Sequence, residues 1–205
     1  MPKPGDLFVG VLDFFAILLP GAVATAVLSP GIESLVPAER LMQEGEGAER
    51  WAVFLLFAYF LGHLIFLVGS YIDVFYNFLR ERFNPYGNES AYQCASRIRD
   101  GLIDHRERKA LNTFQWARAV LIAKNPDAAA DVHRLEADSK FFRSLLVVCF
   151  VSFIAFSIQS RFSEAFIALV LMIPCFARYY ERRLKSTTQA YIHVVTMSRL
   201  GMLKR

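Results

Sequence analysis

Four long apolar stretches of this chain contain no Asp, Glu, Lys or Arg: residues 14–32, 51–72, 144–160 and 165–177, which are 19, 22, 17 and 13 residues long. A bilayer core about 30 Å thick is crossed by about 20 mostly apolar helical residues. The first two blocks therefore read as membrane spans, and the third is adequate. The fourth reaches bilayer length if Phe162 and Glu164 stand at one interface while Tyr179 and Tyr180 form an aromatic belt at the other and Arg178 extends its charge outward. A re-entrant or surface-lying hairpin is the competing geometry for the last two blocks. With 55% hydrophobic and 20% charged residues, the composition excludes a disordered chain and most water-soluble enzyme folds. The expected class is an all-α polytopic membrane protein, with four transmembrane helices and cytoplasmic helical extensions.

Basic residues set the orientation, because cytoplasmic loops are enriched in Lys and Arg. Residues 30–50 hold Arg40 and Arg50 against five glutamates, so this loop is expected outside. Residues 80–143 hold twelve Lys plus Arg and residues 178–205 hold seven, so with Lys3 some 20 of the 23 basic residues fall on one side. Both termini are then cytoplasmic, in a bacterial inner membrane. The net charge of +4 is read as attraction to anionic lipid rather than to a specific nucleic acid, with Arg178, Arg182, Arg183 and Lys185 as the juxtamembrane headgroup-binding set. A cleavable signal peptide ending near Ala22-Val23-Ala24 is the alternative for the first block. Asp6, Asp13 and Pro20-Gly21 argue against it.

Along the chain, residues 1–82 form a transmembrane hairpin whose short external loop covers 29–50, and residues 83–143 form a cytoplasmic helical region. Residues 144–180 form a second hairpin and 181–205 a C-terminal cytoplasmic helix. Pro20 removes a backbone donor near the middle of the first span and predicts a kink there with Gly21. Ala58, Gly62 and Gly69 fall on one face of the second span as a packing seam, because small residues let helices approach closely in lipid. Within 89–124 the apolar spacing predicts two amphipathic helices. Asn125-Pro126 supplies a cap followed by proline at the first helical position, which predicts one helix of about 30 residues running into the third block.

Ionisable groups inside a membrane are costly, and the sequence offers two, Asp13 and His63. Counting 1.5 Å per residue from either interface places them at similar depth. They are expected to form a polar pair that fixes the register of the first two spans or, less simply, titrates with pH. Cys94, Cys149 and Cys175 include no C-x-x-C pair and read as small apolar fillers, with no disulfide framework, metal site or cofactor expected. Arg99 and His105 have the R-x5-H form and resemble the helical HEPN ribonucleases, in which arginine stabilises phosphate charge and histidine moves a proton. The match covers seven residues and includes Gly101, which weakens a helix, so solvated-face residues are the simpler reading.

Asp13 with Leu18-Leu19-Pro20-Gly21, and Tyr59 with Leu61-Gly62-His63, resemble small bacterial four-span inner-membrane proteins over about a quarter of the chain. In topology the chain is similar to membrane components of phage-defence systems, such as the Kiwa membrane subunit or the membrane accessories of type VI CRISPR systems. The small-residue seams and a modest cytoplasmic region favour a homo-oligomer, and the resemblance implies a non-enzymatic membrane sensor or effector in antiviral defence, whose cytoplasmic helices bind a protein partner and gate a pore. A membrane-tethered ribonuclease using Arg99 and His105, or a small proton-coupled transporter using Asp13 and His63, are the alternatives.

Overall fold

The computed structural model describes residues 14, 16–27, 47–83, 90–103 and 110–203. Every regular element among them is helical. In chain order these are α1 (Ala16–Val27), α2 (Gly47–Ser70), α3 (Ile72–Phe83), α4 (Ser90–Leu102), α5 (Thr113–Lys124), α6 (Pro126–Ile158) and α7 (Phe162–Arg199). Three helical stretches are long and apolar enough to cross a membrane, namely Gly47–Phe83, α6 and α7, while α1 is a shorter apolar helix. The large apolar side chains they leave uncovered include Leu56, Phe60, Leu67, Ile158, Phe166 and Ile173, a surface that hydrocarbon solvates and water does not.

Local chemistry explains the helix ends. Gly69-Ser70 precedes the break between α2 and α3, where the Ser70 hydroxyl donates to the Leu67 carbonyl at 2.6 Å and the Tyr71 N–H to Val68 at 3.1 Å. Such Gly/Ser pairs are a known cause of helix kinks. α5 starts in a capping box: the Gln115 N–H donates to Asn112 Oδ1 at 2.8 Å, and the Asn112 N–H returns to Gln115 Oε1 at 3.2 Å. Asn125 ends α5 with an N–H bond to Leu121 and begins α6 by accepting the Ala128 N–H at 3.1 Å. Pro126 then opens a helix of 33 residues, about 50 Å at 1.5 Å per residue.

α6 turns into α7 through Gln159, Ser160 and Arg161. Ser160 takes a left-handed φ of 57° while the Arg161 N–H bonds back to Phe156 at 2.9 Å, a six-to-one closure of the helix end. Arg161 and Ser163 then hold the Glu164 carboxylate at 2.8 Å each. Their hydrogen bonds, the arginine's first, keep its carboxyl well below the usual carboxylate range. α7 continues for 38 residues through Pro174 and ends on Gly201 at φ 72°, with the Met202 N–H bonded to Met197 at 3.0 Å.

The chain divides into two compact units. The first comprises the described residues up to Asp73 with Ala137–Tyr180 and is centred on Ala24, Ile65, Val147 and Val148. Its α1 and α2 meet backbone to backbone: a methyl added at Gly21 would lie 1.8 Å from the Ala58 carbonyl oxygen, and one at Gly62 would lie 2.3 Å from that of Ile17. Pro20 is fully buried at this contact and α1 is helical on both sides of it. The second unit, Val74–Glu136 with Glu181–Arg205, packs Ala95, Trp116, Leu121, Val132, Tyr191 and Val194 into one core. The Tyr191 ring lies 5.6 Å from that of Tyr92.

Candidate functional site

Asp73 stands in the first turn of α3, one residue past the second apolar block. Arg143 immediately precedes the third block on α6, and Tyr179 follows the fourth on α7. The fold brings all three together. Arg143 Nη1 donates to Asp73 Oδ2 at 2.5 Å and Tyr179 Oη donates to Asp73 Oδ1 at 2.5 Å, so one carboxylate joins three helices. Bonds of this charge-assisted kind are about twice as strong as neutral ones.

The surroundings of Arg143 fit a guanidinium removed from water. Its side chain is 7% exposed, against 32% for that of Asp73, and it stacks 4.8 Å from the Phe66 ring centroid. Gly69 makes room for it, since a Cβ there would stand 3.2 Å from Arg143 Nε. Arg143 Nε and the neighbouring Ser144 hydroxyl are buried with no hydrogen-bond partner. Because antiparallel helices contribute block ends to a single carboxylate, the three apolar blocks share one edge. This is the geometry a hydrocarbon boundary demands of spanning helices.

A second polar group lies within the other unit. Buried Glu136 has Arg118 Nη1 at 3.5 Å, His133 Nδ1 at 3.6 Å and Arg183 Nη1 at 3.9 Å, while Arg118 Nη2 lies 3.3 Å from His133 Nδ1. Fully buried Arg80 donates through Nη1 to Tyr76 Oη and Thr187 Oγ1, both at 3.0 Å. These contacts tie α3, α5, α6 and α7 to one another inside the unit, each charge or hydroxyl offsetting the burial of its neighbour.

The residues singled out from sequence fall as follows. Asp13 and His105 lie outside the described residues. His63 is on the exposed face of α2, its ring edge-on to Tyr59 at 4.5 Å. Ala58 and Gly62 face α1, whereas Gly69 faces the Arg143 side chain. Arg99 donates to Asp100 Oδ1 at 2.9 and 3.0 Å and to Thr113 Oγ1 at 2.9 Å, which ties α4 to the start of α5. In the juxtamembrane set, Arg178 is exposed and Arg182 half-buried. Arg183 turns toward Glu136, and Lys185 pairs with Glu181 at 2.6 Å. Asp73 and Arg143 were not singled out from sequence and Tyr179 was read only as part of an interfacial aromatic belt, although opposite charges and a tyrosine flanking matching ends of apolar blocks are a usable signal. Among the described residues no group of three His, Cys, Asp or Glu is placed to hold a metal ion. No protein-family model, curated protein or solved structure matches the chain.

Proposed function

We propose that the chain is a non-enzymatic integral membrane sensor or effector, acting in antiviral defence at a bacterial inner membrane. In this reading it spans four times with both termini in the cytoplasm and assembles with copies of itself. A protein partner engages its cytoplasmic helices and thereby biases the packing of the spans, to the point of opening a pore. The observation that carries the reading is the Asp73–Arg143–Tyr179 clasp. It joins α2–α3, α6 and α7 where their apolar blocks end, and an element that shifts there must break a charged contact in an all-or-none way. Two-state elements of this kind are what a membrane switch needs. The basic residues, concentrated beyond this edge in the sequence, orient it toward the cytoplasm.

The Ala58–Gly62 seam is occupied by α1 of the same chain, so self-assembly uses the exposed apolar faces of the spans. The test is phage challenge of cells expressing the chain together with its genomic neighbours, read by plaque number and by uptake of a membrane-impermeant dye. Fewer plaques with dye entry on infection are expected, and both effects weaken in Arg143→Ala. Unchanged plaque counts and an intact permeability barrier overturn the reading. So does RNA cleavage by the purified protein that disappears in His105→Ala.

A further inference from the structure

In the second unit a single imidazole nitrogen faces two partners of opposite charge. Arg118 of α5 spreads its guanidinium over two groups of α6: Nη2 lies 3.3 Å from His133 Nδ1, and Nη1 lies 3.5 Å from Glu136 Oε2. A guanidinium only donates, so Nδ1 turns its lone pair to Arg118 and the ring is neutral, with its proton on Nε2. Glu136 Oε2 also stands 3.6 Å from that Nδ1, three residues along the same helix. With the ring neutral and Glu136 ionised, neither of these two atoms has a proton to share. A proton arriving on Nδ1 reverses both relations: the ring then repels Arg118 and donates to Glu136.

The surroundings decide which partner gives way. The Glu136 side chain is 6% exposed and holds Arg183 of α7 at 3.9 Å from its other oxygen, Oε1. Two arginines against one carboxylate leave the group with one positive charge, and a charged ring makes it two. Arg118 is the member that can withdraw, because its side chain is 41% exposed and water can take up its charge. Other charges on these helices are held elsewhere: Asp131 with Arg134 at 4.0 Å on the opposite face of α6, Glu181 with Lys185 at 2.6 Å on α7, and Arg80 of α3 with Tyr76 and Thr187.

We infer that His133 is a proton-operated latch between α5 and α6: the neutral ring holds Arg118, and the protonated ring releases it and takes Glu136 instead. Imidazole is the side chain whose ordinary charge change falls between about pH 5 and 8, which sets the range over which the latch works. Buried Trp116, Ala117 and Leu121 keep α5 anchored, so release loosens its Arg118 face without detaching the helix. The latch lies wholly within the second unit and does not rest on the sensor reading.

The experiment uses the full chain with isotope-labelled histidine in phosphatidylethanolamine/phosphatidylglycerol nanodiscs, from about pH 8 to about pH 5. At the alkaline end the NMR signals of the His133 ring, assigned through the backbone, are expected to report the Nε2–H tautomer. Protection of the α5 amides against hydrogen exchange, corrected for the intrinsic effect of pH, is expected to fall about tenfold toward the acid end, the factor that a hydrogen bond to a charged group sets. His133→Gln keeps a carbonyl acceptor for Arg118 but cannot titrate, so its α5 protection should stay high throughout, with His193 left in place. Arg118→Ala should show the lowered protection already at the alkaline end and no further fall. An Nδ1–H tautomer at the alkaline end, wild-type α5 protection that is level across the range, or a fall that survives in His133→Gln overturns the assignment. The first two readings need no variant, so they stand even where a substitution unfolds the chain. No readout involves a partner, infection or a pore, so failure here is distinct from failure of the sensor reading.

Discussion

Arg143 meets an anion, an aromatic face and a glycine at once: Asp73 at 2.5 Å, Phe66 at 4.8 Å and Gly69 behind its Nε. Each partner addresses a different cost of burying a guanidinium at the end of an apolar block. Asp73 neutralises it, Phe66 replaces part of its solvation, and Gly69 gives it volume. Removing one member of a buried ion pair costs about 3–5 kcal/mol because the other charge is stranded. Asp73 is partly exposed, so Arg143→Ala is expected at the lower end, about 3 kcal/mol. The double replacement Arg143→Met/Asp73→Leu removes both charges and is expected to melt well above the single variant. Thermal unfolding in detergent checks both, and an Arg143→Ala chain that melts with the wild type removes the clasp from the account. Arg99 makes the opposite point at the same scale. Its spacing to His105 was legible in the sequence, but its engagement with Thr113 was not, because that contact depends on how α4 meets α5.

At the scale of elements, helix starts were readable where the signal is local. Asn125-Pro126 predicted the start of α6, and its 33 residues follow because no breaker intervenes. The Asn112 cap of α5 is equally local, and Asn112→Ala is expected to cost about 1 kcal/mol, measured as earlier unfolding of the α4–α5 region by hydrogen exchange. The α1–α2 contact depends on tertiary placement. Gly62→Ala puts a methyl 2.3 Å from the Ile17 carbonyl oxygen, so the helices must separate and the detergent-solubilised protein should melt lower. Gly101→Ala meets nothing within 4 Å and is expected to stabilise by at most about 1 kcal/mol. Equal melting of the two variants counts against backbone-to-backbone packing of α1 on α2. The small-residue face of α2 was visible in the sequence as a seam. That Gly69 serves an arginine rather than a helix was not, since both uses require the same missing side chain.

For the whole molecule, the charge distribution makes a topological forecast. In a Cys149→Ala/Cys175→Ala background, membrane-impermeant maleimide added to intact cells should label Gln159→Cys in the α6–α7 turn, and should reach Cys94 only after permeabilisation. Labelling of Cys94 from outside reverses the orientation, and protection of Gln159→Cys from both sides favours a re-entrant hairpin. The Asp13–His63 pair is tested with the same material. A His63→Ala chain that assembles normally removes His63 as a register device.

By itself the amino-acid sequence determined helical character and apolar runs long enough to cross a membrane, because transfer free energies and backbone hydrogen bonding act residue by residue along an apolar run. It also determined where α6 starts, since the Asn125-Pro126 cap acts within one turn. Only the tertiary structure decided which polar groups share a partner. Asp73, Arg143 and Tyr179 are far apart in the chain. Their grouping does not follow from composition or periodicity, because it depends on helix register, which is set by the summed packing of many small contacts rather than by any single residue.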